Sequence, residues 1–409
     1  MIVCVLSYLW FTSYTASLIT KEKDVYLIAL KMLFGDRGKY IAMVAGVGFA
    51  SLIMTQQPSI LVGLLSRTYS FIRDVPAADI WVTDPGVQFV EEHKPMRDTT
   101  LGLIRGMDGV AWAAPLYKNL VVGKLPDGQT KTMDLNGLDD ATLVGAPYRI
   151  IQGKLEDLRR HEAVMVDKEA AERLLRIKIP GTNETRPLGV GDIIEINDKR
   201  AIVVGYVKTT RNFVLQPRFF TTYSRALTYS APKRRQLTYI LVKAKEGVDQ
   251  QHLCDAIKKK TQLNAYTADD FSEVNLNYWM KNTGIPINFG ISVLLGFIVG
   301  AAVAGQTFFS FVQENIKHFA ALKAMGLSHQ TLRKMVMIQA ATVGLTGYGL
   351  GVGVAALFGL KFNDSVLAFL MAPSILLFSL TGMLIIITLS ALLSIRRVIN
   401  IDPSIVFRG

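Results

Sequence analysis

The chain has 409 residues, 50% of them hydrophobic, and a formal net charge of +12. The apolar residues are concentrated in a few long runs, which excludes an ordinary soluble protein. Residues 66–284 hold 32 Lys and Arg against 27 Asp and Glu, and most of the other basic residues flank the apolar runs. The net positive charge therefore does not indicate nucleic-acid binding. We therefore expect a membrane protein with no nucleic-acid partner.

The first 24 residues are mostly apolar, but Ser, Thr and Tyr interrupt the run and no basic residue precedes it. This extension could be an additional apolar span, a cleaved leader or sequence upstream of the true start. We favour the last interpretation, because a span here requires an external amino terminus and a very short return at residues 21–24. Residues 25–39 then predict an interfacial amphipathic helix along the inner membrane surface.

Residues 40–65 are the first apolar run that is long enough to cross a hydrocarbon core about 30 Å thick. Small residues at four-residue spacing predict close packing with another helix: Ala42, Gly46 and Ala50. Gln56, Gln57 and Pro58 then break the outer half of this run. Either the polar pair faces protein or a cavity, or Pro58 introduces a structural kink.

Residues 66–284 contain no comparable apolar run and alternate short strands, turns and helices, which predicts one large α+β domain. The segment AADIWV at 77–82 is typical of a strand. Two hairpins are predicted, around Pro126-Asp127-Gly128 and around Asn197-Asp198. Residues 179–187 are expected to form an exposed loop.

Three further spans are predicted at residues 285–311, 335–360 and 366–395. Small residues in the second and third spans are expected to allow close helix packing: Gly296, Gly300, Ala304, Gly347, Gly349, Gly351 and Gly353. The last four resemble a phosphate-binding loop only superficially, because they lie inside an apolar helix. The span interiors lack Asp, Glu, Lys and Arg, which argues against an ion-coupled carrier.

Residues 313–334 interrupt the apolar pattern between the second and third spans. Apolar and polar residues recur at helical spacing over residues 314–325, which predicts a short amphipathic helix. Gly326 is expected to end this helix in a left-handed conformation, and Ser328 to cap the next one. On composition alone, the same stretch could be an ordinary loop between two spans.

Basic residues flank the spans in three places: before the first span, within residues 313–334, and in the segment 396–409. The positive-inside rule places all three groups in the cytoplasm. Both termini are then cytoplasmic, residues 396–409 form a cytoplasmic tail, and residues 66–284 lie outside. Long translocated domains are exempt from the rule, so the lysines of the large domain raise no objection.

Catalytic signatures are incomplete. His161-Glu162 begins like a zinc-protease motif, but Met165 stands where the second histidine is needed. No GxxxxGK[ST] sequence occurs, so the chain has no P-loop with which to bind ATP. Cys254 is expected to be a packing residue, since only two cysteines occur and they fall in different predicted compartments. We expect no enzymatic activity, no cofactor and no metal.

The order of elements resembles that of the permease subunit of MacB/FtsX-type ABC transporters. These elements are one span, a large external α+β domain, and three further spans with an amphipathic cytoplasmic helix after the second span. ENIKHFAALKAMGLSHQTLRKMVMIQA at 314–340 is similar to the coupling region of that family, and SIRRVINIDPSIVF at 394–407 to its carboxy-terminal signature. The ADIWV strand, GLDDATLVGAP at 137–147 and the GD..E.ND.RA.VVG pattern at 191–205 resemble the MacB-like periplasmic domain. Within the family the chain looks most like the DevC subgroup, whose ATPase is a separate chain.

The resemblance implies a fold: an α-helical transmembrane bundle of four spans with a large extracytoplasmic α+β domain. It also implies partners, namely a second copy of the permease, two copies of a separate ATPase, and in many systems a periplasmic adaptor and an outer-membrane channel. The location would be the cell inner membrane. The mechanism would be mechanotransmission, in which ATP-driven closure reshapes the periplasmic domains and an unidentified substrate is exported without crossing between the spans.

The resemblance assigns ATPase coupling to one group of residues: Glu314, Lys317, His318, Phe319, Leu322, Lys323, Met325 and Gly326. We expect the apolar side chains of Phe319, Leu322 and Met325 to enter a groove of the ATPase, with charged residues around the contact. An alternative is an FtsX-like signal transducer, in which the same coupling activates a periplasmic enzyme and exports nothing. A membrane or periplasmic enzyme is a third class, but it would need catalytic residues that we do not find.

Overall fold

The computed structural model describes residues 26–231, 236–362 and 368–399. The chain divides into two compact units, which we call the helical unit (Met1–Gly63 and Gly284–Gly409) and the α+β domain (Leu64–Thr283). The predicted extension at 1–24 and most of the predicted tail at 396–409 lie outside the described residues.

The helical unit contains six described helices: α1 (Tyr26–Gly35), α2 (Arg37–Ser66), α9 (Ile285–Glu314), α10 (Ile316–Ala324), α11 (His329–Phe362) and α12 (Pro373–Ile399). Four of them, α2, α9, α11 and α12, are long and apolar enough to cross a membrane. The helix α2 continues through Pro58, so the expectation that Pro58 and the preceding glutamines break this span is wrong. Proline removes one backbone donor, but helices in a membrane tolerate it because neighbouring helices and Ser or Thr side chains can satisfy the freed carbonyl.

Small residues bring α2 close to α9 and α11. A Cβ atom at Gly46 would lie 2.7 Å from Cγ1 of Val303, and one at Gly300 would overlap Cβ of Ala50. Cβ atoms at Gly296, Gly347 and Gly351 would likewise overlap atoms of α2, and Ala304 is 4% exposed. Only residues without a side chain, or with a methyl group, allow helices to approach this closely.

The packing prediction is wrong, within this chain, for three of the small residues. Ala42 is exposed, and a Cβ atom at Gly349 or Gly353 would meet no atom within 4 Å. The reason is the helical period: residues four apart share a face, whereas residues two apart point to nearly opposite sides. Gly347 and Gly351 therefore face α2, while Gly349 and Gly353 face away from it.

The described residues of the α+β domain contain twelve strands: β1 (Ile80–Thr83), β2 (Val110–Lys124), β3 (Thr130–Leu138), β4 (Arg149–Gln152), β5 (Ala163–Asp167), β6 (Arg176–Lys178), β7 (Thr185–Pro187), β8 (Ile193–Ile196), β9 (Lys199–Lys208), β10 (Arg218–Thr222), β11 (Tyr239–Ala244) and β12 (Asn264–Thr267). The order in the main sheet is β12-β1-β11-β2-β3-β10-β5-β9-β4, and β8 pairs with both β2 and β9. The pairs β10–β3 and β5–β9 are parallel, whereas the other pairs are antiparallel.

The helices of this domain are α3 (Ser70–Asp74), α4 (Thr99–Arg105), α5 (Lys168–Arg173), α6 (Tyr223–Tyr229), α7 (Gln250–Thr261) and α8 (Ala268–Asn282). Both predicted hairpins are present, as β2–β3 and β8–β9. The segment 179–187 is not a loop throughout, because β7 pairs with β6. Cys254 is fully buried on α7, as expected of a packing residue, and burial raises the pKa of its thiol to about 12.

The core of the α+β domain also holds a cluster of charged side chains. Lys118 Nζ donates to both carboxylate oxygens of Asp134, at 2.6 and 2.5 Å, and these two side chains are 0% and 1% exposed. Arg218 places Nη1 3.0 Å from Oδ2 of Asp74 and Nε 3.4 Å from Oδ2 of Asp134. Buried charges persist in a core only when opposite charges and hydrogen bonds compensate their lost hydration, as they do here.

Candidate coupling site

A sharp corner joins the second and third candidate spans. The helix α9 ends at Glu314, and the Nδ2 atom of Asn315 donates to the carbonyl oxygen of Phe311 at 2.9 Å. This bond satisfies one of the carbonyls that a helix end leaves without a partner. The short helix α10 begins directly afterwards, at Ile316.

The turn after α10 has the conformation that the sequence predicts. Gly326 has φ +93°, its N–H donates to Lys323 O at 3.0 Å, and Leu327 N–H donates to Leu322 O at 3.2 Å. These two bonds form a Schellman motif, in which the residue with positive φ ends the helix. The prediction of a left-handed glycine at this position is confirmed.

Ser328 begins the next helix as predicted. Its Oγ atom accepts a hydrogen bond from the backbone N–H of Thr331 at 3.2 Å, and α11 starts at His329. A side-chain oxygen in this position satisfies one of the free N–H groups at a helix start. The corner is therefore determined locally at both ends.

The apolar side of α10 packs against the chain itself. Phe319 and Ala320 are fully buried, and Leu322 is 9% exposed. All three belong to the core cluster of the helical unit, together with buried residues of α9, α11 and α12. The expectation that Phe319 and Leu322 project into a partner is wrong. An amphipathic pattern identifies which face of a helix is buried, but not what covers it.

The outer side of the corner is polar and basic, and Met325 is its one large exposed apolar side chain. Met325 is 71% exposed. We call this region the corner surface, and its exposed members are Lys317, His318, Met325, His329, Arg333 and Lys334. Of the three apolar side chains predicted to contact a partner, only Met325 is available.

Two of the charged residues predicted to surround the partner contact bind within the helical unit. Glu314 forms an ion pair with Lys39, whose Nζ is also 3.1 Å from Oδ2 of Asp36. Hydrogen bonds from Lys39 lower the pKa of the Asp36 carboxyl. Lys323 Nζ donates to the carbonyl oxygen of Ile399, near the end of α12, at 2.9 Å. The corner is thus connected to the start of α2 and to the end of α12.

Sequence reasoning missed a further connection. Gln339, which is fully buried within α11, donates through Nε2 to the carbonyl oxygen of Ala29 on α1 at 2.8 Å. Ala29 and Leu33 are themselves fully buried. A signal was available, because an amide side chain inside an apolar span needs a polar partner.

Comparison with known families identifies the chain. Residues 290–403 match the family model for the FtsX-like permease C-terminal region. Residues 41–260 match the family model for the MacB-like periplasmic core domain, and this second match covers more than half of the chain. The chain belongs to the MacB/FtsX-type ABC transporter permeases. It is therefore a multi-pass membrane protein with an ABC-type permease or transducer role, in a family whose members work with ATPase partners.

Three solved structures are similar to parts of this MacB/FtsX-type permease. The periplasmic region of MacB from Actinobacillus actinomycetemcomitans has a TM-score of 0.36 and 14% identity, covering 49% of this chain and 94% of that one. The extracellular domain of the noncanonic ABC-type transporter YknZ from Gram-positive bacteria has a TM-score of 0.32 and 12% identity, covering 46% of this chain and 98% of that one.

The third is a domain of a putative permease protein from Porphyromonas gingivalis, with a TM-score of 0.31 and 14% identity, covering 46% of this chain and 88% of that one. TM-scores this low add nothing to the family assignment. No curated protein matches the chain significantly.

Proposed function

We propose that this permease couples ATP hydrolysis by a separate ATPase chain to movement of its α+β domain, and that the movement exports a substrate. The observation that carries the proposal is the exposed Met325 at the tip of α10, on a helix whose opposite side lies in the core of the helical unit. A force applied to the corner surface would reach the spans directly, because a close-packed core transmits displacement.

The ATPase groove would receive Met325, and acidic residues of the ATPase would face the basic members of the corner surface. Truncation of a central apolar anchor in an interface can cost about 2 kcal/mol or more, whereas charges at the rim mainly affect association rate and specificity. Phe319 and Leu322 would act differently, by connecting α10 to the spans.

The proposed assembly contains two copies of the permease and two of the ATPase, in the inner membrane. The basic residues beside the spans support a cytoplasmic position for both termini and for the corner surface, with the α+β domain in the periplasm. A periplasmic adaptor and an outer-membrane channel complete the proposed exporter. The MacB-like match over residues 41–260 favours export over the transducer role.

The coupling proposal is tested by a photo-cross-linking residue at position 325, introduced into the full chain in the cells that make it. We expect a cross-link to a protein that contains a GxxxxGK[ST] P-loop and hydrolyses ATP. The matched control is the same residue at Leu345, which is 65% exposed on α11 but lies in the middle of a candidate span.

A second arm compares two substitutions of one side chain. Met325→Leu should retain the captured ATPase during purification, and Met325→Asp should lose it, while both variants reach the membrane in equal amounts. Capture of lipid alone at position 325, or full retention of the ATPase by Met325→Asp, would contradict the coupling role.

A further inference from the structure

A cavity of about 460 Å³ opens in the α+β domain where three segments meet. These segments are the turn before β5, the start of β9 and the helix α6. Most of the side chains in its lining carry charge or titrate: His161, Glu162, Lys199, Arg200, Arg225 and Tyr229. The coupling role makes no use of this cavity.

Hydrogen bonds between distant parts of the chain hold its walls together. The N–H of Ile202 donates to Glu162 O at 2.7 Å, which joins β9 to the turn before β5. The hydroxyl of Tyr229 on α6 donates to Arg200 O at 3.0 Å. Burial raises the pKa of Tyr229 to about 12, so this hydroxyl keeps its proton at neutral pH. The basic side chains therefore start from fixed backbone positions.

The cavity has more positive than negative charge. Its one carboxylate, Glu162, is shared between Arg200 at 3.4 Å and His161 at 3.8 Å. Outside the lining, Asp140 accepts hydrogen bonds from the N–H and hydroxyl of Ser224, at 3.2 and 2.9 Å. Neither carboxylate lies within ion-pair distance of the remaining two cations.

Those two cations are Arg225 and Lys199. Nη1 of the half-buried Arg225 donates to the carbonyl oxygens of Leu158 and Ala163, at 2.7 and 3.3 Å. These bonds orient the guanidinium without neutralising it. Within the described ranges, neither Arg225 nor Lys199 has a carboxylate within 4.0 Å. The partly buried charge of Arg225 is unfavourable without a counter-charge, and an anion from solution would compensate it. Lys199 is exposed, and its side chain would reach the same anion from another wall.

We propose that this cavity binds a phosphate group, either as free phosphate or as part of a small organic phosphate. Guanidinium and ammonium groups are the usual protein ligands of phosphate, and charge-assisted hydrogen bonds are stronger than neutral ones. Cations from two separate walls suit an anion with several oxygens better than a carboxylate, which one arginine can satisfy. The volume exceeds that of a phosphate ion, so an attached organic group also fits.

The test uses the full chain in maltoside micelles and isothermal titration calorimetry. Inorganic phosphate and glycerol 3-phosphate should each bind saturably, and tighter binding of glycerol 3-phosphate would identify an organic phosphate as the ligand. Acetate and sodium chloride at the same ionic strength should not compete. Arg225→Gln and Lys199→Gln should each weaken phosphate binding about tenfold or more, the loss expected for one hydrogen bond to a charged group.

Two further variants separate binding from folding. Lys208→Gln removes the same charge from an exposed position at the other end of β9 and should bind phosphate like the unaltered chain. Glu162→Gln removes the competing carboxylate and should strengthen binding, a gain that damage to the fold would not produce. Absence of saturable binding, a response that follows ionic strength alone, or equal affinity in Lys199→Gln and Lys208→Gln would overturn the proposal.

Discussion

The side-chain amide of Gln339 on α11 donates a 2.8 Å hydrogen bond to the backbone carbonyl of Ala29 on α1. Both residues are fully buried, and Oε1 of the same amide accepts no hydrogen bond from the part of the chain that the structure describes. The bond connects the first described helix to the third candidate span, about one and a half turns beyond Lys334 of the corner surface. It makes α1 part of the helical unit.

Gln339→Leu should loosen α1 while leaving the rest of the helical unit folded. The change removes the hydrogen bond that connects the side chain of Gln339 to the carbonyl of Ala29, at a cost of about 0.5–1.5 kcal/mol. Lys31 is exposed on α1, so faster trypsin cleavage at this residue is the measurement. Gln330→Leu, at an exposed position of the same α11, is the control and should leave the cleavage rate unchanged. Equal rates for both variants would show that the buried bond does not hold α1.

Two glycines of α11 should respond in opposite ways to the same substitution. A Cβ atom at Gly351 would overlap the carbonyl oxygen of Gly48, so Gly351→Ala should destabilise the chain by about 1–3 kcal/mol. At Gly353 no atom lies within 4 Å, and Gly353→Ala should be neutral or stabilising by up to about 1 kcal/mol through helix propensity. Thermal unfolding in detergent gives the comparison. A lower melting temperature for Gly353→Ala would indicate that a second copy of the chain packs on that face.

Glu91 should make the stability of the chain depend on pH. Its Oε1 atom is shielded from solvent and accepts no hydrogen bond within the described ranges, although the residue as a whole is only partly buried. Burial raises the pKa of this carboxyl to about 7, while the nearby charges of Lys118 and Arg218 oppose the rise and that of Asp134 adds to it. In the folded state the Glu91 carboxyl then stays protonated at pH values where the same carboxyl has lost its proton in the unfolded chain, in which its pKa is 4.5.

The contribution of Glu91 to the free energy of unfolding therefore falls as pH rises from about 4.5 to 7 and is constant above pH 7. Glu91→Gln, which resembles the protonated acid, should leave the melting temperature unchanged near pH 4.5 and raise it at pH 8. The difference between variant and unaltered chain, measured from pH 4.5 to 8, isolates this group from other titrations. A difference that does not vary with pH would refute the raised pKa.

Cysteine labelling tests the proposed orientation. Asn183→Cys places a thiol on the exposed segment between β6 and β7, and Gln330→Cys places one at the exposed start of α11. A membrane-impermeant maleimide added to intact spheroplasts should label the first and miss the second, because the basic flanks favour a cytoplasmic corner. Both should be labelled after the membrane is permeabilised, which controls for accessibility. The reverse pattern in intact spheroplasts would contradict the orientation.

The amino-acid sequence by itself determined the local features of this protein. Long apolar runs predict the four candidate spans, since crossing a membrane depends on the length and polarity of one segment. Gly326 and Ser328 predict the corner after α10, because a left-handed residue and a helix cap are properties of a few neighbouring residues. The β2–β3 and β8–β9 hairpins follow from short turns in the same way.

Only the tertiary structure decided which surfaces remain available. The periodicity of α10 does not reveal that the chain's own spans cover Phe319 and leave Met325 exposed. Lys199 and Arg225 are distant in sequence and line one cavity because β9 and α6 meet there. Such contacts depend on how whole elements pack, and the sequence around each of these residues does not indicate which residues it will contact. Local conformation is encoded within a few residues, whereas burial and charge balance are properties of the completed packing.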